Sequence, residues 1–419
     1  MTAPRLEDII KGIDPLDKFV PFSPPLVGEE EIREVVDTLT SGWLTTGPKT
    51  ERFEKQVADY CGGGKALAVN SCTTALHLAL AVLGVGEEDG VITTPYTFAS
   101  TGHVIMYQRA RPFLVDVEPT TFNIDPVKVR DFLEQECVPG KNGGPPRHKQ
   151  TGRTIKALLP VHYGGHPCRL DELLAIAREY GLFTVEDAAH AIGATYNGRK
   201  IGLFGDITCF SFYATKNITT GEGGLALTER EDLSDRMRVM SMYGISDARR
   251  IWARYAPKGS WVYDVAELGF KYNMMDIQAA LGLHQLAKLD EFLRRRRENA
   301  GIYLDILGGR EQVRTPIQES YAESAWHLFP ILLNPDRLRI NRDDFIEALK
   351  ALNIGTSVLF IPLHFHSYYN RALGYGEGDF PIAEDLFRRV VNLPLSPAVP
   401  PETIARVART AAKLLEAAS

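Results

Sequence analysis

The sequence predicts an α/β protein. It has a large domain with a mostly parallel, seven-stranded sheet covered by helices, and then a smaller α+β domain. Three observations carry this. Short, largely apolar runs recur at 66–70, 91–95, 112–117, 155–161, 182–186, 207–212 and 224–228. Runs that are apolar throughout, rather than alternating, mark strands buried on both faces. Stretches with helical spacing, such as 71–83 and 170–180, lie between the runs, and strand alternating with helix argues for a parallel sheet. After Asp264 the rhythm changes. A helix is expected at 276–293, ending in the basic run Arg294 to Arg297, then a strand at 325–333 and a helix at 342–352. A strand at 356–360 and helices at 379–391 and 401–418 follow. The expected division is a large domain over 21–264 and a small one over 265–419, with 1–20 packing as an extension.

Composition narrows the function class. The chain has 419 residues, 44% hydrophobic and 24% charged, with a formal net charge of -6. These values suit a globular core, and the mildly acidic balance gives no footprint for nucleic acid. The first twenty residues lack the apolar region of a secretory signal. No stretch approaches the ~20 uninterrupted apolar residues of a membrane span. The five cysteines, Cys61, Cys72, Cys137, Cys168 and Cys209, are widely spaced without a CxxC pair, so neither a zinc site nor a disulfide framework is expected. The expectation is a cytoplasmic protein with no metal. The Gly/Pro-rich, basic segment CVPGKNGGPPRHKQTGRT at 137–154 reads as an exposed loop. Its basic residues would meet an anionic substrate only if the loop lay near the site.

Four segments carry chemistry. In SFYATKNITTGEGG at 211–224, Lys216 follows the end of a strand. A lysine there can point into a crevice, and an unprotonated amine forms a Schiff base with a carbonyl. In LFTVEDAAHAIG at 182–193, a strand runs into Glu186 and Asp187. Ligands bind beyond the carboxyl ends of parallel strands, where an aspartate can keep a pyridine nitrogen protonated. An aspartate capping the next turn fits this pattern equally well. In NSCTTAL at 70–76, a strand opens into an apolar helix. Free N–H groups at a helix start cradle phosphate, although a plain Ser N-cap gives the same sequence. In PYTFAST at 95–101, Phe98 follows a strand and is placed either to stack on a flat ring or to join the core.

Taken together, these segments resemble the fold-type I pyridoxal phosphate (PLP) transferases, and within them the DegT/DnrJ/StrS family of nucleotide-sugar aminotransferases. The resemblance runs from FSPP at 22–25 to the last helices. It includes SGWLTTGP at 41–48, VHYGG at 161–165, EDAAH at 186–190, GFKYNMMDIQAA at 269–280 and AWHLF at 325–329. It implies that Lys216 carries PLP and shuttles the proton, with the pyridoxamine phosphate form arising during turnover. Asp187 would pair with the ring nitrogen and Phe98 would stack on the ring. His190, at a position often Gln in the family, would bind the ring hydroxyl. Cys72 (often Gly in the family), Thr73 and Ser211 would hold the phosphate, and Asn273 would reach the phosphate of a neighbouring subunit. The active site would then be shared across a homodimer. His327 and His364, the latter in IPLHFH at 361–366, would face the substrate.

The implied reaction moves an amine, with glutamate as donor, to a keto group of a nucleotide-linked sugar. The keto carbon would be C4, with C3 the alternative, in amino-sugar or surface-polysaccharide synthesis. Several stretches are most similar to C4 aminotransferases acting on a UDP-linked keto-pentose for lipopolysaccharide. Three alternatives stand beside this: amination of an aminocyclitol or aminohydroxybenzoate ring, a pyridoxamine-phosphate-dependent sugar dehydrase, and a non-enzymatic regulator. In the dehydrases the lysine is replaced by histidine, so Lys216 argues against that reading.

Overall fold

The computed structural model describes residues 6–140, 143–246 and 263–419. The main path of the large sheet has seven strands. They are β1 (Lys65–Val69), β2 (Asp89–Thr93), β3 (Arg111–Leu114), β4 (Thr154–Leu158), β5 (Phe183–Asp187), β6 (Ile207–Ser211) and β7 (Gly224–Thr228). Their order across the sheet is β1-β7-β6-β5-β4-β2-β3. All neighbours are parallel except β7, which runs antiparallel to β6 and β1.

The fold class is the one the sequence predicts. Successive side chains of a strand point to opposite faces, and here both faces are dry. Ala66, Ala68, Ile92, Ile155 and Phe210 enter one core with helices Pro48–Tyr60, Pro126–Glu136, Leu170–Tyr180 and Asp276–Ala287. Leu67, Val69, Val91, Ala157 and Cys209 enter the other with helices Cys72–Val82, Ala99–Tyr107 and Glu231–Met240. Gly181, with φ +67°, ends the helix before β5 in the left-handed conformation that glycine adopts without strain.

A second antiparallel sheet places β9 (Phe329–Leu333) between β8 (Val313–Arg314) and β10 (Val390–Leu393). Its core gathers Phe329, Ile331, Phe345 and Val407, together with Ile9, Leu16 and Val20 from the amino-terminal segment.

Several expected elements take another form. The strand expected over 325–333 begins only at Phe329. Trp326 has φ +47°, outside the strand region, and the N–H groups of Ala325, His327 and Leu328 bond the carbonyls of Gly164 and Gly165. The strand expected at 356–360 is a single bridge, Ser357 to Asn392. The Leu359 carbonyl there serves the hydroxyls of Tyr96 (3.1 Å) and Tyr163 (2.6 Å) instead of a ladder. The helix expected over 379–391 is Pro381–Arg389, and Val390 opens β10. The helix expected over 276–293 is two abutting helices, Asp276–Ala287 and Leu289–Leu307. The basic run Arg294 to Arg297 therefore lies inside a helix, with Arg296 buried.

The segment at 137–154 is also not a plain exposed loop. Cys137–Val138 pairs with Arg147–His148, and the His148 ring packs 4.5 Å from that of Phe113. Arg147 pairs with Thr154 at the start of β4. The hairpin thus hangs from the amino end of that strand, opposite the end where ligands bind.

Three of the described helices, Pro48–Tyr60, Pro381–Arg389 and Pro401–Ala417, begin with proline and lack a capping side chain of their own. An aspartate from far along the chain caps each of the first two. Asp276 accepts the N–H groups of Gly47 (2.8 Å), Lys49 (3.0 Å) and Thr50 (2.9 Å) at the start of Pro48–Tyr60. Asp116 accepts those of Ile382 (3.0 Å) and Ala383 (2.9 Å) at the start of Pro381–Arg389. A carboxylate placed there satisfies orphan donors and complements the helix dipole.

Candidate active site

β5 ends in two carboxylates that face opposite sides of the sheet. Glu186 is fully enclosed and fully satisfied. It accepts from Gly205 N–H (2.7 Å), Thr208 Oγ1 (2.9 Å) and His162 Nε2 (3.0 Å). Cys168 N–H donates to His162 Nδ1 (3.1 Å), so the imidazole carries its proton on Nε2. Burial pushes the Glu186 carboxyl up, but His162 and the other donors outweigh it and hold the pKa below the ordinary value.

Asp187, also buried, has fewer partners: Thr101 Oγ1 (2.8 Å) and Ala189 N–H (3.2 Å). Burial pushes its pKa up, with Thr101, Ala189, Lys216 and His162 only partly opposing. A buried carboxylate short of a positive partner is what a cationic ring nitrogen completes.

Lys216 sits in the turn between β6 and β7. The turn is pinned on all sides. Thr220 N–H and Thr219 Oγ1 bond the Phe212 carbonyl, Asn217 Nδ2 bonds the Ala325 carbonyl (2.7 Å), and Ser23 Oγ bonds the Thr215 carbonyl (3.0 Å). Burial of the amine pulls its pKa down to about 8, against the pull of Cys72 and Asp187. The unprotonated form that an attacking amine requires is therefore far more accessible near neutrality than for an ordinary lysine, although it is still the minor form.

Ser71 caps the helix Cys72–Val82 by accepting Thr74 N–H (3.2 Å). Among the described residues, the N–H groups of Cys72 and Thr73 have no protein acceptor. β7 passes close to this helix start because Gly224 has no side chain. A Cβ there would lie 2.3 Å from Cys72 N. Ser211, the last residue of β6, stands directly opposite Gly224 in the ladder, so its side chain belongs to the same corner. Phe98 stands at the N-cap position of the helix Ala99–Tyr107 and is 63% exposed, so its side chain is free to cover a flat ligand rather than fill the core.

The His190 and His327 rings pack at a tilt of 42° with centroids 4.3 Å apart, and Phe360 lies nearly parallel to His190 at 5.7 Å. Gly164 N–H donates to His190 Nδ1 (3.2 Å), which leaves His190 Nε2 as the donor. Burial, then Lys216, keeps the His190 pKa well below its ordinary value. For His327 burial acts first, then His190, Lys216 and Arg296. Both rings are neutral near pH 7, and His327 Nδ1 is buried with no partner among the described residues. Arg296 Nη1 holds the carbonyls of Trp326 (3.2 Å), His327 (3.4 Å) and Leu395 (2.8 Å), fixing the loop that bears His327.

The structure gathers Lys216, Asp187, His190, His327 and Cys72 into one electrostatic neighbourhood. It sends His364 elsewhere. The His364 imidazole is buried against Phe365 and Phe380, with Nε2 3.1 Å from Glu384. Asn273 lies beside Val69 at the end of β1, with Nδ2 on Thr46 Oγ1 (2.6 Å). Sequence reasoning missed Thr101, His162 and the Gly164 N–H. Thr101 closes the segment at 95–101, one turn into its helix, and that spacing was its only signal.

Residues 25–411 match the profile of the DegT/DnrJ/EryC1/StrS aminotransferase family. The chain belongs to this family. It is 48% identical over 399 residues to an uncharacterized protein of Methanocaldococcus jannaschii, covering 95% of this chain and 98% of that one. It is also 48% identical over 382 residues to the spore coat polysaccharide biosynthesis protein SpsC of Bacillus subtilis, covering 91% and 93%. Among solved structures, Spr1654 from Streptococcus pneumoniae in its PMP form superposes with a TM-score of 0.83 at 30% identity, covering 95% and 98%. Its PLP form gives the same score. The protein is therefore a PLP-dependent aminotransferase of a sugar aminotransferase family.

The residues present fit the cofactor. Among the described residues, the corner that a Cβ at Gly224 would fill opens onto two N–H groups without an acceptor, the Asp187 carboxylate has no ion-pair partner in contact, and the Lys216 amine is easier to deprotonate than an ordinary lysine.

Proposed function

We propose that the protein transfers an amino group from glutamate to the C4 keto group of a nucleotide-linked sugar. The observation that carries this reading is the pinned Lys216, with an amine of lowered pKa, beside two neutral imidazoles that offer nitrogens to a ligand. When bound, PLP supplies an electron sink that stabilises charge at the carbon losing its proton. The protein does the rest. Lys216 Nζ takes the proton from the donor carbon and returns it to the acceptor side. Asp187 holds its negative charge at the ring nitrogen, fixed in orientation by Thr101 and Ala189. Cys72 and Thr73 N–H groups and Ser211 hold the phosphate, Phe98 covers the ring, and His190 Nε2–H donates to the ring hydroxyl. His327 receives the sugar or the donor carboxylate through its unpartnered nitrogen. A homodimer with shared sites, in which Asn273 reaches the phosphate of the neighbouring subunit, agrees with Asn273 being partly exposed beside the end of β1. SpsC, named for spore coat polysaccharide synthesis, supports a surface polysaccharide as the destination.

The test is a panel of 3-keto and 4-keto nucleotide sugars with glutamate as donor. Amino-sugar product should form from 4-keto substrates, and glutamate should bleach the visible absorbance of the purified protein. Lys216→Ala should lack both the absorbance and the product. Turnover of 3-keto substrates alone would move the assignment to C3, and a colourless wild type that takes up no PLP would sink the reading.

A further inference from the structure

The motif SGWLTTGP at 41–48 has no part in the site described above, yet the structure ties it to Asn273. Thr46 Oγ1 donates to the Met274 carbonyl at 2.5 Å, and Asn273 Nδ2 approaches the same oxygen at 2.6 Å. A threonine hydroxyl has one proton and two lone pairs. Its proton is spent on Met274, so toward Asn273 it can only accept. That fixes the Asn273 amide. One Nδ2–H goes to Thr46, the second is left over, and the carbonyl end is turned away from Thr46.

The surroundings hold both partners in register. Asp276 N–H bonds the Thr45 carbonyl (3.2 Å), and the Asp276 carboxylate takes three N–H groups beside Thr46. Asn70 N–H bonds the Tyr272 carbonyl (2.8 Å) and Asn273 pairs with Val69, so the backbone of Asn273 is held against the end of β1.

We propose that Thr46 is a positioning residue that presents the N–H face, not the carbonyl face, of Asn273 to the cofactor phosphate of the neighbouring subunit. The proposal rests on the shared-site homodimer of the functional reading above. An amide turned the other way would set its carbonyl oxygen against an anion. A side chain such as valine, of similar shape but without the lone pair, removes the bias.

The experiment measures retention of PLP by the intact protein. Dissociation is followed by absorbance after dilution, and the bound phosphate is observed by phosphorus-31 NMR. Thr46→Val should weaken PLP binding about tenfold, the scale of a hydrogen bond to a charged group, and should shift the phosphate resonance. Thr46→Ser should restore both. Asn273→Ala should weaken PLP to a similar extent, and adding Thr46→Val to it should cost nothing more. A further loss in the Asn273→Ala background would show Thr46 acting through the fold alone and overturn the proposal. Unchanged retention in Thr46→Val would overturn it too. In both cases the wild type still binds PLP, so the functional reading survives. A wild type that binds no PLP defeats both.

Discussion

Two buried histidines, His327 and His364, look alike in sequence, and the structure treats them in opposite ways. His327 packs at a tilt against His190 and feels the charges of Lys216 and Arg296, and no carboxylate answers it among the described residues, while its Nδ1, like that of His364, has no partner there. His364 is tied to Glu384, which also accepts the N–H groups of Gly378 (2.7 Å) and Phe380 (3.4 Å). Burial alone does not mark a site. A buried imidazole that already answers a carboxylate is building material, and one left without a carboxylate is open to a ligand.

The comparison can be broken in three ways. His327→Ala should lower kcat/KM by about 10- to 100-fold, the scale of a lost polar contact, while its melting temperature stays near wild type. His364→Ala should show the converse. Glu384 loses a buried partner, the fold weakens by about 1–3 kcal/mol in a denaturant titration, and kcat/KM moves little. If the two variants exchanged these signatures, the distinction would fail.

The smallest expected effect concerns pH. The folded pKa values of His190 and His327 are depressed below the unfolded value near 6.5. Their neutral forms therefore favour the fold fully above that pH. The unfolded chain takes up protons first as the pH falls, so stability declines below about 6.5. In His327→Gln the melting temperature should fall less steeply between pH 7 and 5 than in wild type.

Much of the fold was legible because its strands are buried on both faces. An apolar run such as 207–212 has no other ready meaning, and it is a strand. Errors came where backbone groups found partners off the ladder, as at Trp326 and Leu359, because periodicity does not show tertiary hydrogen bonds. The candidate site was legible where its residues follow strand ends. Asp187 closes β5, and Lys216 lies in the turn after β6. The donors that orient Asp187 and His190 were not legible. They are a hydroxyl and a backbone N–H from segments far apart in sequence.

The strand order has a consequence for synthesis. β1 is at the sheet edge, and its one neighbour on the path is β7. The first strand to leave the ribosome must therefore wait for the last. At translation rates of about 5–20 residues per second, the wait between them is on the order of ten seconds or more. Through that interval an apolar strand and the helix start at Ser71 stay without the partner that completes their corner. The nascent chain is then most exposed to misassociation, and the anion cradle closes only when Gly224 arrives.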